Sequence, residues 1–446
     1  MKNLFGTDGV RGTVGSDFFI HENIYTLGKA IGQWTSTHLN KNPHILIVHD
    51  TRTSCSYVKA TLASGLLQYP VTLYDAQVLP TPAAFFLLKK HKHLDCALII
   101  SASHNQACDN GIKIITKTGK LSELSEQQIT QYFYTHKKSC EQAQYTMLGS
   151  QQMLATAHES YKKALINHIP EKLFDNKTVV LDCAHGATYH TAPEVFRALG
   201  ARVFARNVEP NGSNINHACG STHPEKLQQL VIEYNADIGF AFDGDGDRIV
   251  AVSRNGQIKN GDDILALLLN HPKYKKIHTV VGTIMTNCGL EKLLEKQNKK
   301  LIRTPVGDKY ISRELQEHNL ILGGEASGHI IMHDACSTGD GILVALRILE
   351  TIITTNNWNM VTFNHFPQVH ICIPIKQKKD LTKEPLNSII NQAHDDIAPG
   401  RLVVRYSGTE NILRIMTEYL ETGHQNREHG HAVAQTLAQK LTRMLI

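Results

Sequence analysis

Short apolar runs alternate with amphipathic helical patterns along this chain, and the polar loops that follow several of the runs carry its most reactive residues. His44-Ile45-Leu46-Ile47-Val48 precedes a helical stretch over 57–67, and Cys96–Ile100 leads into the polar loop 101–110. Thr178-Val179-Val180-Leu181 precedes a helical pattern over 191–199, and Thr279-Val280-Val281-Gly282 precedes one over 289–296. Apolar strands followed by helices build mixed or parallel sheets covered by helices, with function at the carboxyl ends of the strands. At 446 residues the chain exceeds one core, since domains run to ~100–200 residues. The pattern restarts near 155, 257 and 370, which predicts units at 1–155, 156–256, 257–368 and 369–446. The first three read as α/β units. The last, with extended runs at 369–375, 401–404 and 413–416 between helical stretches, reads as a smaller α+β unit. The polar stretches 141–150 and 376–383 read as linkers.

The composition excludes several classes of function. Net charge is only +5 and no block of Lys and Arg forms a nucleic-acid or membrane patch. Apolar runs such as 264–269 fall far short of the ~20 residues that span a bilayer. The nine cysteines form no CxxC pair and no zinc spacing, and the amino terminus has no apolar signal region. Free thiols in a reducing cytoplasm are the expectation.

Four loops carry chemistry. Asp243, Asp245 and Asp247 lie within five residues, at the end of the apolar run 236–241. Like charges that close repel unless a cation neutralises them, and a hard divalent ion such as Mg²⁺ suits an all-oxygen turn bent by glycines. An EF-hand is excluded, because Arg248 stands at its glycine position and Arg254 at its bidentate glutamate position, and a solvated acidic turn is the other reading. Arg248, beside the metal, is placed to grip a phosphoryl oxygen. The second loop, Ser101-Ala102-Ser103-His104-Asn105, makes Ser103 a candidate nucleophile or phosphate carrier beside His104, with Lys113 nearby. A capped polar turn is the alternative.

The third loop, Gly323-Gly324-Glu325-Ala326-Ser327-Gly328-His329, alternates Glu325 and Ser327. Extended backbone would point both to one side as a clamp for sugar hydroxyls; a glycine-rich turn at a helix cap is the other reading. In the fourth loop, Arg405, Ser407, Gly408 and Thr409, with Arg414 following, form an anion cradle. It lacks the P-loop spacing. A phosphate carrier, a metal, a polyol clamp and a second phosphate cradle together point to phosphoryl transfer on a phosphorylated sugar.

At these residues, from Phe5-Gly6-Thr7-Asp8-Gly9-Val10-Arg11-Gly12 to Arg414, the chain resembles the α-D-phosphohexomutase superfamily. Leu181-Asp182-Cys183-Ala184-His185-Gly186-Ala187-Thr188-Tyr189, Glu209-Pro210-Asn211-Gly212-Ser213-Asn214-Ile215-Asn216, Gly282-Thr283-Ile284-Met285-Thr286-Asn287 and Val306-Gly307-Asp308-Lys309-Tyr310 look more like its glucosamine branch than its mannose/glucose branch. The resemblance implies an α/β architecture of four domains around a central cleft, three of them related. It implies a phosphoserine at Ser103, and Mg²⁺ held by Asp243, Asp245, Asp247 and a phosphoserine oxygen. Glu325, Ser327 and Lys309 would hold the sugar, and Arg405, Ser407, Gly408, Thr409 and Arg414 the phosphate that does not react. Arg11, His104, Lys113, Arg248 and His329 would serve catalysis, with Lys113 or His329 handling the hydroxyl proton. The implied reaction interconverts glucosamine 6-phosphate and glucosamine 1-phosphate through a 1,6-bisphosphate, feeding UDP-N-acetylglucosamine synthesis. A homodimer, and a priming kinase or bisphosphosugar, are the partners it allows.

Four positions depart from the family pattern. Gln106 and Asn411 replace prolines, Cys55 replaces a glycine near Asp50-Thr51-Arg52, and Ala326 replaces the glutamine of the glucosamine branch. The competing readings are a mutase of neutral hexose phosphates, a metal-dependent sugar phosphatase, and a sugar-phosphate sensor without catalysis.

Overall fold

Four sheets follow one another along the chain in a computed structural model that describes residues 3–6, 8–16, 18–138, 148–407, 411–420 and 424–445. The first has seven strands, ordered Val10–Thr13, Asp109–Thr116, Cys96–Ile100, His44–His49, Thr72–Val78, Ser150–Met153, with Gly119–Lys120 paired to Asp109–Thr116. The second has five: Ile258–Lys259, Ile249–Ser253, Ile238–Phe242, Thr178–Asp182, Arg202–Arg206. The third has four: Lys300–Thr304, Thr279–Thr283, Leu322–Gly324, Ile330–Met332.

One arrangement recurs in all three. Two parallel strands lie beside a third parallel strand, which turns back through a loop into an antiparallel neighbour. The returning pairs are Cys96–Ile100 with Asp109–Thr116, Ile238–Phe242 with Ile249–Ser253, and Leu322–Gly324 with Ile330–Met332. The three connecting loops carry Ser103, the aspartates, and Glu325 to His329. Three of the four reactive loops therefore occupy one topological position in three related units. The strands that aim them, Cys96–Ile100 and Ile238–Phe242, are buried at every position. Helices cover both faces, which is why these strands read as unbroken apolar runs rather than alternating ones.

One apolar cluster runs from Leu46 through Phe174, Phe240 and Leu290 to Met360, so the first three units share a core. A second cluster fills the other face of the first sheet, between Phe5 and Phe133. The last unit is an antiparallel sheet, Gln368–Pro374, Ile412–Glu418, Arg401–Tyr406, under helices Leu386–Ile397 and His424–Leu445. Its cluster, from Ile373 to Leu445, is its own. Arg401 joins it to the third unit by donating to the carbonyls of Ile284 (3.1 Å) and Thr286 (2.8 Å). The fully buried Glu418 accepts from the Cys288 amide at 2.9 Å.

One expectation needs correction. The expected linker 141–150 does not extend through Ser150, which opens an exposed edge strand, Ser150–Met153, parallel to Thr72–Val78. Backbone pairing suffices at a sheet edge, so polar side chains there give no strand signal. Residues 141–147 of the expected linker lie outside the described residues, whereas 376–383 carries neither helix nor strand. The apolar run 264–269 lies in and just beyond helix Gly261–Leu268, capped by Asn260. No helix among the described residues is long and apolar enough to cross a membrane.

Candidate active site

Ser103 sits in the turn after Cys96–Ile100 with φ +53° and is 1% exposed. Its hydroxyl donates to Asp243 Oδ2 at 2.6 Å, joining the first loop to the second. A left-handed φ is unfavourable for serine, and a buried clamp holds it. Arg52 Nη2 donates to the carbonyls of Ser103 (3.0 Å) and Asn105 (2.8 Å), and its Nη1 to that of Gln106. Asp50, paired to Arg52 Nε at 3.0 Å with both side chains fully buried, also accepts from Ser101 Oγ at 2.6 Å. From the second unit, Asn216 Nδ2 donates to the same Ser103 and Asn105 carbonyls at 2.8 and 2.9 Å. Cys55 Sγ donates to Asp50 Oδ1 at 3.1 Å, so this departure from the family pattern has a partner within the clamp.

The three aspartates are buried in the tight turn between Ile238–Phe242 and Ile249–Ser253, which Gly246 completes at φ +73°. Each offers a carboxylate oxygen within 4.8 Å of the others. Burial, then repulsion from Asp245 and Asp247, pushes the Asp243 carboxyl well above its usual range. Burial also opposes the charge on Asp245, but Lys113 and Thr81 outweigh it and hold its pKa low. Thr81 Oγ1 donates to Asp245 at 2.7 Å and Lys113 Nζ at 3.0 Å. Asp245 Oδ1 and Asp247 Oδ1 are buried without a hydrogen-bond partner among the described residues. Three buried carboxylates, two of them with an unsatisfied oxygen, fit a hard divalent cation.

Cations surround this turn. Lys113 reaches Asp8 at 2.9 Å and Asp247 at 3.7 Å. Burial works against its charge, yet Asp245, Asp8 and Asp247 raise its pKa, so the ammonium stays charged. Arg11 pairs with Asp8 at 2.5 Å and reaches the Ala102 carbonyl at 3.5 Å. Arg248 lies 3.9 Å from Asp247 Oδ1. His104 Nδ1 is 3.5 Å from Ser103 Oγ, and burial with Arg248 and Arg11 drives its pKa down to about 3, so the ring is neutral. His329 is nearly fully buried, with Nδ1 3.6 Å from Asp247 and Nε2 3.6 Å from Asp308. Burial opposes its protonation, but Asp247, Asp308 and Glu325 carry its pKa up to about 9. Protonation would forfeit the Gly339 amide bond to Nε2 (3.1 Å), and three carboxylates outweigh one amide.

The third loop departs from expectation. Residues 325–328 do not run extended: the Gly328 amide bonds the Glu325 carbonyl at 2.9 Å and Gly328 takes φ +92°. A tight turn removes the alternation, so Glu325 is buried, accepting from the Gly307 amide at 3.0 Å, while Ser327 is exposed. Lys309 begins beside it on helix Asp308–Glu317, its ammonium 5.2 Å from the Tyr310 ring centre. In the fourth loop, Arg405 and Arg414 face each other directly across two antiparallel strands. Burial, then Arg414, lowers the Arg405 pKa. Opposed like charges are unfavourable unless an anion lies between them. Ser407 is buried, and Lys378 Nζ donates to its carbonyl at 2.7 Å. Gly408 and Thr409 lie outside the described residues.

Asp8, Thr81, Lys120, Asn216 and Asp308 belong to this constellation, and the loop-by-loop reading gave them no role. Asp8, Asn216 and Asp308 stand within quoted motifs, the one signal available; Thr81 and Lys120 gave none beyond their polarity.

Related α/β units whose corresponding loops bring a buried serine against a carboxylate triad define a class, and the family models agree with it. Residues 2–139, 159–256 and 260–365 match domains I, II and III of the phosphoglucomutase/phosphomannomutase family, and the chain belongs to that family. Its curated relatives carry a more particular name. A phosphoglucosamine mutase of Acinetobacter baylyi is 40% identical over 93% of this chain and 95% of its own. One of Alkaliphilus metalliredigens is 35% identical over 99% of this chain and 100% of its own. A phosphoglucomutase/phosphomannomutase family protein of Burkholderia thailandensis shares the fold, with a TM-score of 0.80, 20% identity, and 99% and 98% of the two chains covered. An Aspergillus fumigatus N-acetylphosphoglucosamine mutase, solved with GlcNAc-6P and magnesium, has a TM-score of 0.66 at 15% identity, covering 99% and 96%.

Proposed function

We propose that this protein interconverts glucosamine 6-phosphate and glucosamine 1-phosphate, with Ser103 carrying the phosphoryl group between the two positions. The observation that carries the reading is the Ser103 Oγ to Asp243 Oδ2 contact of 2.6 Å, which sets a buried hydroxyl against the carboxylate triad. In the working enzyme Ser103 is a phosphoserine. Its phosphoryl group passes to the free anomeric hydroxyl of glucosamine 6-phosphate, breaking the P–Oγ bond and forming P–O1, and the O1 proton ends on Ser103 Oγ. The resulting 1,6-bisphosphate reorients, and Ser103 Oγ takes the phosphoryl group from O6 while its proton passes to O6, releasing glucosamine 1-phosphate.

Asp243, Asp245 and Asp247 would hold Mg²⁺, which supplies electrostatic stabilisation of charge on the transferring group. Arg248, Arg11 and Lys113 supply the rest of the positive charge from the protein itself. Lys113 is held charged by its three carboxylates, which suits binding phosphoryl oxygens better than accepting a proton. His329 is likewise held as a cation. Transfer through a loose transition state leans on positioning and charge more than on base strength. Glu325, fixed by the Gly307 amide, the exposed Ser327 and the half-buried Lys309 would hold the sugar. The Arg405–Arg414 pair, with Ser407, Gly408 and Thr409, would bind the phosphate that does not react.

Glucosamine as the sugar rests on the relatives at 35–40% identity. Comparing kcat/KM for glucosamine 6-phosphate, glucose 6-phosphate and mannose 6-phosphate tests it. Preference for the amino sugar is the expected result, and preference for either neutral hexose overturns it.

A further inference from the structure

Six titratable side chains close a ring in which acidic and basic groups alternate throughout. From Asp247 it passes to Lys113 (3.7 Å), Asp8 (2.9 Å), Lys120 (2.5 Å), Asp308 (2.5 Å), His329 (3.6 Å) and back to Asp247 (3.6 Å). Asp247, Lys113 and His329 border the transfer site, so the ring runs through it. Lys120 and Asp308 lie on the far side of the ring.

Their placement gives them a distinct task. Lys120 extends the first sheet, on the two-residue strand paired with Ile115 and Thr116, so it shares a backbone frame with Lys113. Asp308 opens helix Asp308–Glu317, which packs on the third sheet. An acidic residue there already favours the helix dipole, but its carboxylate also meets Lys120 across the units. Among the ion pairs between described residues, Lys120–Asp308 is the one joining the first unit to the third. A cavity of ≈ 930 Å³, lined by Asp8, Lys113, Lys120, Asp247 and Asp308, parts the two units on this side. The lysine spans that gap. Burial opposes its charge, yet Asp308 and Asp8 raise its pKa, so the ammonium persists. Without it, Asp8 would keep Arg11 and Lys113 and Asp308 would keep His329, but no cation would stand between the two carboxylates across the gap.

We propose that Lys120 is a positioning residue that docks the third unit against the first, setting Lys113 and His329 on opposite sides of Asp247. The proposal rests on the mutase reading, since its consequence is alignment of the phosphoryl donor with the sugar-holding loop. Misplacement of reacting groups by an ångström costs about a hundredfold in rate, so a docking contact remote from the chemistry registers in kcat.

The test compares wild type with Lys120→Met, Lys120→Arg and Asp308→Asn in the full chain. It measures kcat and KM for glucosamine 6-phosphate, the melting temperature, and amide hydrogen exchange over 119–121 and 308–317. Lys120→Met is expected to lower kcat by about tenfold or more while KM moves less than about threefold. Exchange should rise at both segments, and Lys120→Arg should restore most of kcat. Asp308→Asn repeats the comparison if Lys120→Met fails to fold. Three results overturn the proposal: kcat of the neutral variants within about twofold of wild type, an arginine variant no better than the methionine one, or unchanged exchange at both segments. Wild type inactive on every hexose phosphate would defeat the mutase reading instead, and the exchange comparison would still decide the docking.

Discussion

Replacing Asn216 with glycine isolates the contribution of the clamp on the Ser103 loop. Asn216 reaches from the second unit to the Ser103 and Asn105 carbonyls at 2.8 and 2.9 Å. It adopts φ +58°, so alanine would add backbone strain, whereas glycine accepts that conformation and removes only the side chain. Both carbonyls keep their bonds from Arg52, so neither is left unsatisfied. The loss is then two neutral hydrogen bonds at ~1 kcal/mol each, or ~2 kcal/mol. Those bonds help hold Ser103 at φ +53°, a conformation that itself costs ~1–2 kcal/mol. Removing them lets the loop relax toward negative φ and carries Oγ away from Asp243. At ~1.4 kcal/mol per factor of ten, kcat should fall by up to about thirtyfold, with KM nearly unchanged. A coupled assay on glucosamine 6-phosphate, with intact mass reporting phosphate on Ser103, measures the effect. A folded Asn216→Gly protein whose kcat lies within about twofold of wild type would refute the claim that these bonds set the serine's geometry.

Ser103→Ala, which deletes the hydroxyl 2.6 Å from Asp243, should lower mutase turnover by about 10⁴-fold or more; retained turnover favours a phosphatase working through the aspartates. Chelation should abolish activity and added Mg²⁺ restore it, with calorimetric Mg²⁺ binding lost in Asp245→Asn; binding that survives this change places the metal elsewhere. Arg414→Met should raise KM by about ten- to a hundredfold and change kcat little, since a charged bond to phosphate is worth ~1.5–3 kcal/mol; a kcat effect alone argues against the cradle. Burial, offset in part by the Leu343 amide and Tyr161, raises Asp340 to about 6 from 3.8. Its stabilising contribution is complete below pH ~4 and lost as pH rises through ~6, a change of ~3 kcal/mol over about two pH units. Melting of Asp340→Asn against wild type should therefore diverge across that window in the variant's favour, and parallel melting curves would contradict this.

What could be read from the sequence divides along physical lines. The strands Cys96–Ile100 and Ile238–Phe242 announced themselves because complete burial demands unbroken apolar runs, and the reactive loops followed from where those runs stopped. The edge strand 150–153 did not, since its stability lies in backbone bonds to Thr72–Val78 that no side chain advertises. The turn at 325–328 escaped because a period-two argument presumes extended backbone, which Gly328 at φ +92° breaks. Lys120 met Asp8 and Asp308 only after the sheets came together. Three residues scattered over 300 positions leave no periodicity to detect.

The separate apolar cluster of the last unit has a consequence for how this protein can fail. The Arg405–Arg414 cradle stands on a core that shares no residue with the cluster supporting Ser103 and the aspartates. On the proposed mechanism, damage to the closing unit by heat, proteolysis or mutation would therefore abolish capture of the substrate while a phosphorylated Ser103 stayed buried and intact behind it. Such a molecule would be a charged but idle enzyme, holding a phosphoryl group that it can no longer deliver.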